Sequence, residues 1–156
     1  MTTRELNRDD DLKAVLKLCK DFFAEYEGHH EEFFDTDNLS DADISDRFMQ
    51  SVDSDDSATL VALDDNKIVG YALLAIRDQP GFYKIKKIGA ISGLMVANAH
   101  RRKGIATQLL NKSKEFFRRH EVTYFTLYTA VSNDGASRFY ENAGLSPLHT
   151  VFLGET

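Results

Sequence analysis

The stretch Leu94-Met-Val-Ala-Asn-Ala-His-Arg-Arg-Lys-Gly-Ile-Ala-Thr-Gln-Leu-Leu110 decides how this chain is read. An apolar, β-prone run ends in a short polar turn, and the turn delivers Arg101, Arg102, Lys103 and Gly104 where an amphipathic helix begins. The start of a helix carries unpaired backbone N–H groups and the positive end of the helix dipole. Gly104 lets a bulky anion come close to that backbone, and three adjacent cations raise the local potential. The segment therefore predicts a strand, an anion-binding turn and a helix. It lacks the Gly-x-x-x-x-Gly-Lys-Ser/Thr loop of nucleotide hydrolases and the three glycines of a dinucleotide fingerprint.

A second motif follows at Asn133-Asp-Gly-Ala-Ser-Arg-Phe-Tyr-Glu-Asn-Ala-Gly-Leu145. Asn133 or Asp134 can cap a short helix, and Gly144 suits the left-handed position that ends one. Ala136, Phe139, Tyr140 and Ala143 recur at helical spacing and predict one inward face.

Arg101-x-x-Gly104-x-Ala106, followed by the Asn133 to Leu145 helix with its Tyr140-Glu141-x-x-Gly144, resembles the two cofactor motifs of the Gcn5-related N-acetyltransferases. Leu145 stands where that family usually places an aromatic residue. The resemblance runs from about residue 3 to 153, with its specific motifs at 91–107 and 133–145. It implies a single α/β domain over 1–156, a mixed and mostly antiparallel central sheet flanked by about four helices, with acceptor-side elements at about 9–52. It implies acetyl-CoA as donor, released as CoA, held by the turn residues Arg101, Arg102, Lys103, Gly104, Ile105, Ala106 and Thr107. It further implies main-chain bonds from Leu94, Met95 and Val96 to the pantetheine arm, a contact from Asn133, and Tyr140 as the acid that protonates the departing sulfur. Many members carry a glutamate on the strand before the turn; here that strand reads Ile91-Ser92-Gly93-Leu94 and has none. Glu25, Glu27, His29, His30 and Glu31, near the end of the first helix where the family's acceptor groove lies, are the candidate bases and acceptor-side residues. Tyr83 and Tyr128 are further acceptor-side candidates, and a water-relayed proton path is expected.

The remaining sequence agrees with one globular enzyme domain. Its 156 residues suffice for a sizeable core. No run approaches the ~18 uninterrupted apolar residues of a membrane span, and the N-terminal residues lack the apolar core of a secretory signal. Cys19 is the single cysteine, so an internal disulfide is excluded and a cytoplasmic location is expected. No Cys/His cluster suggests a metal.

The net charge of −6 is unevenly distributed. Between Glu25 and Asp56 Arg47 is the only Lys or Arg, whereas between Lys84 and Arg119 Glu115 is the only acid. A basic C-terminal half suits a cofactor bearing phosphates, and an acidic N-terminal segment suits a cationic acceptor. Nucleic acid is not the expected partner of a chain with this overall charge.

Along the chain, Thr2 to Leu6 predicts an edge strand. Leu12, Val15, Leu16, Cys19, Phe22, Phe23 and Tyr26 form the apolar stripe of a helix that Gly28 ends. Residues 29–39 read as a loop, and Ser40 caps a second helix. Ala58–Leu63 and Ile68–Arg77 form a hairpin across Asp64-Asp65-Asn66-Lys67, with Gly70 marking a bulge or a close approach of backbone. Lys86–Val96, a helix over 103–120, a strand over Val122–Ala130, the short helix at Asp134 and a last strand over Thr150–Leu153 complete the order. The expected activity is acetylation of a primary amine on a small cationic metabolite. The other readings are acetylation of a protein N-terminus or lysine, and a non-catalytic CoA-binding module. A homodimer joined through C-terminal edge strands is the expected assembly.

Overall fold

A computed structural model of the chain describes residues 1–29, 33 and 38–156. Among these residues five strands form one sheet in the order β1-β2-β3-β4-β5. They are β1 (Thr2–Glu5), β2 (Ser57–Asp64), β3 (Lys67–Asp78), β4 (Lys87–Val96) and β5 (Phe125–Leu127). The first four pair antiparallel, and β5 lies parallel to β4. That one parallel pair needs a crossover, supplied by helix α3 (Ile105–Arg119). Helices α1 (Leu12–Glu27), α2 (Asp41–Gln50) and α4 (Asp134–Asn142) complete the fold.

Strand alternation divides the core into two layers. Leu60 and Ala62 of β2 face α3, where Ile105, Leu109, Leu110, Phe116 and Phe117 cover them, while Val61 and Leu63 face α1 and α2 through Val15, Leu18, Ile44 and Phe48. The edge of α4 joins the α3 layer through Phe139 and Ala143. The two caps read from the sequence hold, with Ser40 accepting from the Asp43 N–H and Asn133 from the Ala136 N–H, and Asp11 caps α1 by accepting from the Lys13 N–H. Gly144 sits at φ +84° past the end of α4.

Two bulges interrupt the pairing. The first inserts Val69 beside Gly70, where an added Cβ would lie 2.9 Å from the Met95 carbonyl oxygen, so both readings of that glycine hold. The second inserts Ser92 into β4, between the pairs Leu73↔Gly93 and Leu74↔Ile91. It shifts the side-chain phase, so that Ile91 and Val96 both reach the α3 layer while Met95 points to α1.

Gly89 shows how closely α3 is packed on the sheet. An alanine Cβ there would meet the Phe117 ring at 2.6 Å, and that ring stacks on Phe125 at 5.5 Å. Gly89→Ala is expected to lower stability by about 1–3 kcal/mol, read as a drop in thermal midpoint.

The C-terminal half departs from the sequence reading in two places. The strand expected over Val122–Ala130 is confined to Phe125–Leu127, because pairing with β4 stops at Ile91↔Leu127, next to the Ser92 bulge. Thr150–Leu153 forms no strand: its β-prone side chains have no sheet partner within the described residues, and Val151, Phe152 and Leu153 are exposed.

Candidate active site

Where β4 and β5 part, a wedge opens in the sheet. β4 continues from Ser92 to Val96 with no partner on its β5 side among the described residues, so a run of main-chain N–H and C=O groups lines the gap. A cavity of about 460 Å³ occupies this wedge. Its floor is Leu94, Met95 and Val96, one wall is α4 with Asn133, Ala136, Phe139 and Tyr140, and the opposite wall is α1 with Phe22, Glu25 and Tyr26.

The far end of the cavity is the start of α3. Gly104 precedes the helix at φ +79° and offers no side chain, so no side-chain acceptor caps the first turn. The N–H groups of Ile105, Ala106 and Thr107 are left for an external acceptor. Arg102, also in the left-handed region at φ 61°, turns the chain into this position. A left-handed arginine is strained, and strain of this kind tends to sit where a turn must present its donors. Nothing lies within 4 Å of the Cβ position of Gly104, so that side of the turn is open. Uncapped donors, helix dipole and Arg102 together form a cradle for a phosphate-sized anion.

Tyr140 reaches the cavity from α4, and its hydroxyl makes no hydrogen bond to a described residue. Burial, with a smaller contribution from the nearby Tyr26 phenol, pushes its pKa to about 12. Tyr26 lies across from it on α1 and donates to the Tyr128 carbonyl oxygen at 2.9 Å. Burial raises the Tyr26 phenol too, partly opposed by the adjacent Thr129 hydroxyl. The end of α1 is further tied to the segment after β5 by His29 Nδ1, which lies 2.8 Å from the Ser132 hydroxyl.

Among the described residues, Glu25 is the only carboxylate lining the cavity, opposite Arg101 and Arg102. It is already engaged: Arg101 Nη2 donates to Glu25 Oε1 at 2.5 Å, and Arg101 Nε donates to the Val96 carbonyl oxygen at 3.0 Å. The guanidinium thus lies across the end of β4 and links α1 to the turn. His100, just before the turn, leans on Asp64 at 3.5 Å.

Most of the residues singled out from the sequence converge here: Leu94, Met95, Val96, Arg101, Arg102, Gly104, Ile105, Ala106, Thr107, Asn133, Tyr140 and Glu25. Lys103 belongs to the turn but does not line the cavity. Glu27 and His29 also lie off it, and Tyr83 stands with Phe82 on the β3–β4 loop. Tyr128 contributes its carbonyl while its side chain faces solvent. His30 and Glu31 lie outside the described residues. Phe22, Tyr26 and Thr129 also line the cavity, and the sequence does not mark them as site residues. Phe22 and Tyr26 sit on the helical stripe that reads as core, and only the position of that stripe's last turn over the wedge distinguishes them.

Solved structures with the same architecture include the BH1408 protein from Bacillus halodurans, in a tetramutant form. It is 22% identical, matches with a TM-score of 0.85, and each chain is covered in full. Aminoglycoside 6'-N-acetyltransferase AAC(6')-IG from Acinetobacter haemolyticus is 19% identical with a TM-score of 0.77, over 100% of this chain and 98% of that one. AAC(6')-Iy, solved with the bisubstrate analogue CoA-S-monomethyl-acetylneamine, is 18% identical with a TM-score of 0.79, over 99% and 97%. At these identities the likeness establishes the fold. The sequence itself matches the acetyltransferase (GNAT) family model over residues 14–145, which include the β4 edge, the uncapped turn and Tyr140, and so this chain belongs to the GNAT acetyltransferase family.

Proposed function

We propose that this protein is an acetyl-CoA-dependent N-acetyltransferase that acts on a primary amine of a small cationic metabolite by direct transfer. The observation that carries this is the meeting, in one cavity, of an open β4 edge, an uncapped α3 N-terminus and the Tyr140 phenol. Two structural neighbours are aminoglycoside N-acetyltransferases, and one of these was solved with a CoA-linked analogue, which supports the same donor and acceptor classes.

The residues divide the work by their chemistry. The N–H groups at the start of α3, with Arg102, hold phosphate charge. The main-chain groups of Leu94 to Val96 that β5 leaves unpaired, apart from the Val96 carbonyl held by Arg101, bind the amide-bearing arm as a neighbouring strand would, and an N–H there stabilises the oxyanion. Bound acetyl-CoA supplies an activated acetyl thioester. Tyr140 keeps its proton on Oη throughout the physiological range, ready for the leaving sulfur. Glu25, with Phe22 and Tyr26 beside it, gives the acceptor side a carboxylate flanked by aromatic faces, which suits an ammonium group. β4 has no acid and Glu25 is paired with Arg101, so the proton of the acceptor amine leaves through water.

CoA release measured with acetyl-CoA across a panel of diamines, aminoglycosides, amino-acid amines and peptides tests the assignment. Turnover on a small cationic amine is expected. Turnover confined to peptides would reassign the acceptor to protein, and CoA binding without turnover on any amine would favour a non-catalytic module.

The cytoplasm suits an enzyme whose single cysteine is a buried thiol. The exposed Leu148, Val151, Phe152 and Leu153 suit self-association, and we take the working form to be a homodimer. Sedimentation should give twice the monomer mass, and truncation after Gly144 should return the monomer. A full-length monomer at micromolar concentration would sink the dimer.

A further inference from the structure

Glu25 and Arg101 lie 76 positions apart in sequence, yet their ion pair spans the two functional halves of the cavity. Arg101 opens the anion turn, while Glu25 stands on the acceptor wall. The guanidinium is drawn away from the turn by three contacts: Glu25 Oε1 at 2.5 Å, the Val96 carbonyl at 3.0 Å and Met95 Sδ at 3.5 Å. The pair is half exposed, at 41% and 42%, so it is weak enough to be exchanged. A polyphosphate at the turn and a carboxylate on α1 therefore compete for one guanidinium.

We propose that Arg101 is shared between Glu25 and the cofactor's phosphates, so that Glu25 restrains cofactor affinity until a cationic acceptor meets it. This rests on the N-acetyltransferase reading of the same cavity. With no anion bound, Arg101 neutralises Glu25 and the acceptor wall attracts cations poorly. Phosphate charge at the turn draws on Arg101 and leaves the Glu25 carboxylate for an ammonium group. By linkage the effect is reciprocal, and a cation at Glu25 tightens cofactor binding by the same factor.

Isothermal titration of CoA into the wild type, Glu25→Gln, Arg101→Gln, the double variant and Asp21→Asn tests this. Asp21→Asn removes the same charge from the same helix one turn earlier, outside the cavity. Glu25→Gln should bind CoA about fivefold more tightly, the factor corresponding to a half-exposed ion pair. Arg101→Gln should bind more weakly, the double variant should match it, and Asp21→Asn should match the wild type. A Glu25→Gln affinity equal to or weaker than wild type overturns the proposal. So does equal tightening in Asp21→Asn or on the Arg101→Gln background, since either would be a general field effect. With CoA in place of acetyl-CoA, any panel amine that turns over should tighten CoA binding to the wild type and not to Glu25→Gln; equal effects on both also overturn it. A wild-type protein that binds no CoA sinks the enzyme reading itself, whereas normal binding without these differences sinks only the coupling.

Discussion

Replacing Tyr140 with phenylalanine is expected to lower kcat about a hundredfold, at the lower end of what a positioned general acid contributes. That corresponds to about 2.7 kcal/mol of barrier. CoA affinity and thermal midpoint should barely change. The ring that packs beside Phe139 is kept, and the lost hydroxyl makes no hydrogen bond to a described residue, so no buried partner is left unsatisfied. This separation makes the test sharp. If Tyr140 only fills space, phenylalanine fills it equally well, and kcat should stay within about threefold of wild type.

The pH profile gives an independent check. An acid works while it holds its proton, and burial moves the Tyr140 pKa from 10.0 to about 12. The alkaline limb expected of an ordinary phenol near pH 10 is therefore displaced upward. With a simple amine, kcat/KM should rise as the amine loses its proton and show no fall assignable to Tyr140 below pH 10. The same shift affects stability. The folded state holds this proton more tightly than the unfolded chain, so the contribution is complete below pH 10 and is lost as pH rises through about 12. A descending limb near pH 8 in the wild type that disappears in the variant would contradict the buried, neutral phenol.

The sequence made the two motif segments readable because their signals are local. A cap, a helical period and a glycine at positive φ are each decided within a few residues, and Ser40, Asn133 and Gly144 occupy the positions their chemistry predicts. The acceptor wall depends on distant packing. Tyr26 continues the spacing of Phe22 and Phe23, and only the tertiary fold reveals that this last turn of α1 overhangs the wedge and not the core. Arg101 reads as a phosphate ligand by spacing, while its guanidinium is captured by a carboxylate far away in the sequence. Thr150–Leu153 has the composition of a strand, but composition cannot supply a partner edge. The bulge at Ser92, which opens the cavity, leaves no local mark beyond the neighbouring Gly93.

Gly104→Asp should weaken CoA binding by at least about a hundredfold while leaving the fold intact. The site has room, since nothing lies within 4 Å of the added Cβ, and aspartate is one of the few side chains that tolerates φ +79°. The strain of about 1 kcal/mol is partly offset by a carboxylate beside the uncapped first turn of α3, where the helix dipole favours negative charge. Stability should therefore change little. Binding changes much more, because the new carboxylate occupies the N–H groups that would meet phosphate and repels its charge; each charge-assisted hydrogen bond lost is worth about 1.5–3 kcal/mol. Gly104→Ala divides the effect into its parts. Alanine brings the backbone strain without the charge, so its thermal midpoint should fall below that of the aspartate variant while its CoA affinity stays well above it. Titration calorimetry and thermal unfolding on the three proteins measure both quantities. Should Gly104→Asp bind CoA within threefold of wild type, the phosphates do not sit at the α3 N-terminus, and the basic turn would have to be reassigned to a purely structural role.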